Sequence, residues 1–239
     1  MARGEPDIRQ AGGEASWQPV RDGLHEAIIR HRLDPGAKLV EDEIAEAFGV
    51  SRTIVRTALQ ALAGDGIVVI ARNKGASVAR PQPEEAREIF EVRALVEPRI
   101  AGLAAQKMTP ADAARLEACI EAEHAAIAAD DPGDAVYISA DFHRLIAGIA
   151  GHGVLASIVG DLLSRSSLVV ALYWRRPEAM CASGAHHALL DALMEGNGDK
   201  AASLMRQHLF DLLAGLDLSP RPARRSSIAD AIAAPRRAG

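Results

Sequence analysis

Three histidines fall among apolar residues at helical spacing. His143 flanks Ile138, Phe142, Leu145 and Ile149; His187 lies with Leu190 and Met194; His208 lies with Leu204, Met205 and Leu212. A single inward histidine is most often a hydrogen-bonded core residue. Three from separate helices of one bundle can converge their imidazoles on a divalent transition metal. Arg93 sits on the stripe Ile89, Val96, Ile100. A guanidinium pointing inward there needs an anion, either Glu97 one turn on or the carboxylate of a bound effector. Ser164, Arg165, Ser166 and Ser167 interrupt an otherwise apolar helix and are candidates to line the same pocket.

A second set of residues suits nucleic acid. With Ile54, Ala58 and Leu62 turned to a core, Arg52 and Arg56 are one turn apart on the outward face, where their guanidinium forks can reach phosphates or guanine edges. Thr53, at the start of that helix, offers a hydroxyl and a backbone N–H to a phosphate. Lys74 and Gly75, at a turn between two extended runs, would bring backbone and charge close to a groove.

The elements that must position these residues follow from periodicity. Val20, Leu24 and Ile28 define a first helix from Pro19 to Arg32, ending near Leu33-Asp34-Pro35-Gly36. Glu41 to Phe48 is a second. Gly49 supplies a left-handed stop and Ser51 an N-cap for the third, which makes a helix-turn-helix. The runs Ile67-Val68-Val69-Ile70 and Ala76-Ser77-Val78-Ala79, joined through Arg72-Asn73-Lys74-Gly75, predict a two-stranded wing. Pro81 and Pro83 mark the internal boundary. Beyond it every segment is helical: 84–106 with Pro98 inside it suggesting a kink, then from Thr109-Pro110 to Ala129, 134–150, 154–174, and a pair split by Gly196-Asn197-Gly198. The expectation is a mainly α chain. A winged helix-turn-helix occupies residues 17–80 and an all-α bundle residues 81–217, between Pro, Gly, Ala and Arg-rich tails at 1–16 and 218–239.

Charge supports the division. Residues 17–49 carry four Lys and Arg against seven Asp and Glu, residues 50–80 carry five against one, and residues 81–217 carry eleven against twenty. A local basic surface on an acidic body lets one face approach phosphates while the rest is repelled. Aromatic residues at 3% leave few rings for base stacking, which disfavours single-strand readers. The two cysteines, Cys119 and Cys181, lack metal spacing and suit a reducing cytosol. Neither a secretory leader nor a membrane span is expected.

The run from Leu33-Asp34-Pro35-Gly36 through Leu39-Val40-Glu41-Asp42-Glu43-Ile44-Ala45 and Val50-Ser51-Arg52-Thr53-Ile54-Val55-Arg56 to Gly64-Asp65-Gly66 and Gly75 resembles the winged helix of GntR-family bacterial regulators. The remainder is similar to the FCD ligand-binding domain of the FadR-like branch. The resemblance implies a homodimer on a palindromic double-stranded operator, responsive to a small metabolite whose carboxylate Arg93 would hold; Arg165 is a second candidate effector contact from its place in the apolar helix, and the cysteine usage implies a cytoplasmic location. The resemblance also implies a divalent metal (zinc, nickel or manganese) on His143, His187 and His208. Several positions depart from the family pattern, the first being Ile54, where the family often has proline. Asp42 stands where several members place a polar or basic DNA-contacting side chain, and Ser139 stands in place of an acidic or amide fourth ligand. His186 occupies a position where the family usually has glutamate, as an extra ligand or a neighbour.

A competing class is a three-histidine metalloenzyme with an accessory DNA-binding domain. No His-Glu-x-x-His helix or recognisable general base supports it.

Overall fold

The computed structural model describes residues 16–174 and 184–219. Most of the two tails and Cys181 lie outside the described residues. The elements run α1 (Gln18–Ile29), β1 (Lys38–Leu39), α2 (Glu41–Phe48), α3 (Arg52–Gly64), β2 (Val68–Ala71), β3 (Gly75–Val78), α4 (Pro83–Ala105), α5 (Pro110–Ala128), α6 (Pro132–Ala150), α7 (Gly153–Tyr173), α8 (Ala185–Met194) and α9 (Gly198–Ala214).

The head forms as its pattern dictates. Gly49 ends α2 in the left-handed region, and α3 buries Val55, Ala58, Leu59 and Leu62 against Val20, Leu24 and Ile28 of α1. Ile54 is only partly buried, so the inward stripe of α3 is rotated towards Val55. Ser51 has the extended backbone of an N-cap, yet its side chain does not bond the helix. The wing has three strands rather than two, in the order β1-β3-β2, all antiparallel. The extra strand pairs Lys38 with Ser77 and Leu39 with Ala76. At two residues it is too short to show period-2 alternation, but burial of Leu39 in the head's core pins it.

In the bundle, α4 runs unbroken through Pro98, whose missing N–H does not end the helix. A capping box between Thr109 and Asp112 starts α5, and the Asp131 and Asn197 side chains cap α6 and α9. Two cores fill the interior: one between α4, α5, α6, α7, α8 and α9, the other between α4, α7 and Leu216 and Leu218. Leu218, beyond the expected end of the bundle at 217, is buried, and its carbonyl accepts from Arg87. By length and composition α7 could cross a bilayer. It is instead central to this fold, placing Leu163, Leu168 and Val169 in three different cores.

The head docks on the bundle through α1. Leu168 of α7 is part of the head's core. Arg30 pairs with Asp134 and stacks over Tyr137 of α6, 4.0 Å from the ring centroid. Gly133 lies so close that a Cβ there would sit 2.2 Å from the Arg30 carbonyl oxygen. His25 is 3.0 Å from Ser164 Oγ, and His31 Nε2 is 3.1 Å from both the hydroxyl and the carbonyl oxygen of Ser167.

Candidate metal centre and nucleic-acid interface

Three imidazoles meet in the bundle core, and they are His143 from α6, His186 from α8 and His208 from α9. One ring nitrogen from each lies within 4.8 Å of the other two, and all three residues are buried. His186 Nε2 is 3.3 Å from His208 Nε2, and His143 Nε2 is buried without a hydrogen-bond partner.

His187, the residue expected here, is not part of the cluster. It projects from the other side of α8 with nearly half its side chain exposed, stacked on His124 and 3.9 Å from Glu117. The buried face of α8 is His186, Leu189, Leu190, Leu193. The stripe that includes His187 runs to Met194, which is 53% exposed. His186 stacks on Phe142, which fixes its ring plane.

Two buried carboxylates hold the outer edges of the rings. Glu97 Oε2 is 2.5 Å from His143 Nδ1, and Glu123 Oε2 is 2.7 Å from His186 Nδ1. Burial opposes ionisation of Glu97, but the charge of Arg93 and the hydrogen bonds from His143 and Arg93 outweigh it and hold the carboxyl down to about 2. An ionised carboxylate only accepts, so His143 Nδ1 carries the proton and donates it, leaving the Nε2 lone pair facing the cluster. Burial pushes the His143 ring below its ordinary value, with Glu97 offsetting part of the effect. His208 is driven well below, by burial and by repulsion from His186 and His143. His143 and His186, each backed at Nδ1 by a carboxylate, together with His208 and the orphaned, buried Nε2 of His143, form a donor set that fits a divalent transition metal.

Arg93 points inward as its stripe predicts, and its partner is Glu97: Nε donates to Oε1 at 2.5 Å, and Nη1 donates to Ser166 Oγ at 3.1 Å. Arg93, Glu123, Ser139, His143, Ser166 and Ser167 form the polar side of a cavity of about 40 Å³, with Leu163 and Trp174 among the residues of its apolar side. Arg165 does not reach it. Its side chain lies against Gly66 of the head and pairs with Glu85 at the start of α4, because its position on α7 faces the domain junction. Ser164 is likewise turned to the junction, bonded to His25. Glu123 and the head-facing His25 and His31 are site neighbours that sequence spacing did not reveal. Their partners are separated from them by 63, 139 and 136 residues.

On the head, Arg52, Thr53, Arg56, Lys74 and Gly75 are all exposed. Glu41 at the first turn of α2 binds both arginines, 2.8 Å from Arg56 Nε and 3.4 Å from Arg52, and Asp42 lies 3.1 Å from the other arm of Arg52. The hydrogen bond from Arg56 is the main reason the Glu41 carboxyl sits below its ordinary range. At the wing tip the Lys74 carbonyl accepts from Lys38 Nζ.

Residues 17–78 match the model of bacterial regulatory proteins of the gntR family, and residues 88–211 match that of the FCD domain, more than half the chain. The chain belongs to the GntR family of regulators, with an FCD domain. It is 29% identical over 209 residues to the HTH-type transcriptional regulator LutR of Bacillus subtilis (strain 168), covering 77% of this chain and 94% of that one. It is 26% identical over 202 residues to the HTH-type transcriptional repressor RspR of Escherichia coli (strain K12), covering 82% and 88%. A crystallised GntR protein from Rhodococcus sp. RHA1 superposes with a TM-score of 0.74 at 27% identity, covering 86% of this chain and 99% of that one. E. coli McbR/YncC shares the fold at 23% identity, with a TM-score of 0.73 over 83% and 96%. This GntR-family protein is therefore a DNA-binding transcription regulator of bacterial type, and not an enzyme.

Proposed function

We propose that this regulator is a homodimer whose affinity for a palindromic operator is set by a small carboxylate bound beside a metal in the FCD domain. Arg52, Thr53 and Arg56 of α3 contact the major groove, and Lys74 and Gly75 contact the flanking backbone. His143, His186 and His208 hold the metal, which when bound supplies an electrophilic centre for the effector's carboxylate. The single observation that carries this assignment is the orphaned Nε2 of His143, buried beside Arg93 and Ser166 at the polar wall of the cavity. Ser139 Oγ, facing the same cavity, is a neutral neighbour rather than a fourth anionic ligand.

The chain's own residues supply the coupling. A cavity of about 40 Å³ holds a water or two, so an organic carboxylate must displace its walls. One wall is Ser166 and Ser167 of α7, and Ser167 Oγ donates to the Ile29 carbonyl of α1 at 3.0 Å while lying 3.1 Å from His31. An effector that moves this stretch therefore bears directly on the helix that docks the head. It regulates only in so far as it binds the two arrangements unequally.

The test is a thermal-shift screen of small carboxylates with and without zinc, nickel or manganese, on the wild type, H143A and H186A. Metal-dependent stabilisation of the wild type that both variants lose is the expected result. A carboxylate response indifferent to metal and to both histidines would overturn the assignment.

A further inference from the structure

We propose that the face shared by α4 and α9 is the dimer interface, with two copies of α4 crossing antiparallel about a two-fold axis at Leu95; this inference rests on the dimeric regulator proposed above. Leu95 is 71% exposed, the most exposed of the large apolar residues among those described. Val92 and Phe210 are also exposed, by 39% and 50%. α9 runs antiparallel along α4, with Gly198 against Gly102 at one end and Leu213 in the core of Ala86 and Ile89 at the other. Val92 and Phe210 thus belong to the same end of the face.

The other end is a groove of about 290 Å³ lined by Leu95, Arg99, Gly102, Gly198, Ala202 and Arg206. Its floor is made of small residues because the two backbones are in contact: a Cβ on Gly102 would lie 3.3 Å from the Gly198 carbonyl oxygen. A two-fold axis at Leu95 turns the Val92 and Phe210 end of one copy onto the groove end of the other, so protrusion meets hollow twice. An isologous interface requires that self-complementarity.

Charge points to the same axis. Glu91 and Arg99 stand four residues before and four residues after Leu95, both exposed, and among the described residues neither has an ion-pair partner. Eight residues apart on one helix, they are separated by about 12 Å and cannot pair with each other. In the antiparallel dimer each Glu91 faces the other copy's Arg99. The spacing also suits the operator. Pro83, where α4 leaves the head, is twelve residues from Leu95, so the two heads attach at most about 36 Å apart, close to one turn of B-form DNA.

Sedimentation velocity on the full chain across a concentration series tests the assignment, with circular dichroism to check folding and operator binding measured separately. L95E is expected to raise the dimer dissociation constant by at least about 30-fold. E91R and R99E alone are each expected to raise it by roughly tenfold, and the double variant E91R/R99E to return it to near the wild-type value, because reversing both signs restores every cross-copy pair. The charge variants lie on the surface and keep the test valid should L95E misfold. Dimers indifferent to the single reversals, or a double variant weaker than either single, would overturn this face while leaving a dimeric regulator standing. A wild type that binds its operator as a monomer would overturn the dimer altogether.

Discussion

Removing Glu97 tests the buried network behind the histidine cluster. Its carboxylate is 1% exposed and is shared between Arg93, 3% exposed, and His143. In E97A the guanidinium retains the Ser166 hydroxyl, a neutral acceptor, and the His143 Nδ1–H loses its acceptor. Breaking a buried pair by deleting one partner costs about 3–5 kcal/mol, since the surviving charge keeps its desolvation penalty without compensation. E97Q, which keeps the shape and one acceptor oxygen, should lose less, about 1.5–3 kcal/mol. The double variant R93L/E97L should recover part of the loss because no buried charge is left behind, with His143 the remaining unsatisfied group. Urea denaturation followed by circular dichroism, compared at constant m, gives the three values. A loss below about 1 kcal/mol in E97A, or a double variant no better than the single, would refute the view that the cluster is backed by a desolvated ion pair.

Three further outcomes are expected. R56A should weaken operator binding by about tenfold or more if Arg56 reads a guanine edge, or lower the slope of log affinity against log salt by about 1 if it binds a phosphate; fluorescence anisotropy at several salt concentrations separates the two, and unchanged affinity and slope would remove Arg56 from the interface. G133A drives a Cβ into the Arg30 carbonyl and should destabilise the domain junction by about 1–3 kcal/mol, whereas G148A, with open space at its Cβ, should be neutral or stabilising by up to about 1 kcal/mol; equal melting temperatures for the two would contradict the close approach of α1 and α6. Burial lowers the values of both His25 and His31, with Arg144 and Arg21 adding to it at His25 and the Ser167 backbone offsetting part of it at His31. Their stabilising contribution is therefore complete above about 6.5, where the unfolded rings are neutral, and is lost as the pH falls through the depressed folded values. Melting temperatures measured down a pH series should show that loss, and H25Q/H31Q should flatten it; an unchanged profile would exclude these rings.

Much of this architecture is legible in the chain because its signals are local. Gly49 needs only its own backbone freedom to end α2, and the stripes of α3, α4 and α6 are set by residues three and four apart. What periodicity shows is the face a residue occupies, and α8 shows its limit. His186 and His187 each begin an apolar spacing, and only the packing of Leu189, Leu190 and Leu193 against α9 and α5 decides between them. Arg165 illustrates the same limit on α7, a helix apolar on every side, where no stripe separates the residues facing the cavity from those facing the head. The pairs Glu97 with His143 and Glu123 with His186 join helices far apart in sequence, so nothing within either helix announces them. The two-residue strand β1 is held by its cross-strand partners alone.

The most direct measurement is operator binding by the metal-loaded protein, followed by anisotropy on a palindromic fragment recovered by footprinting beside its own gene, before and after adding the carboxylate that gives the largest thermal shift. Salt-sensitive binding by the wild type, weakened or strengthened at least tenfold by the carboxylate, with H186A binding the fragment but deaf to the ligand, is the predicted result. Identical ligand responses in the wild type and H186A, or binding that no carboxylate alters, would contradict the histidine cluster as the seat of control.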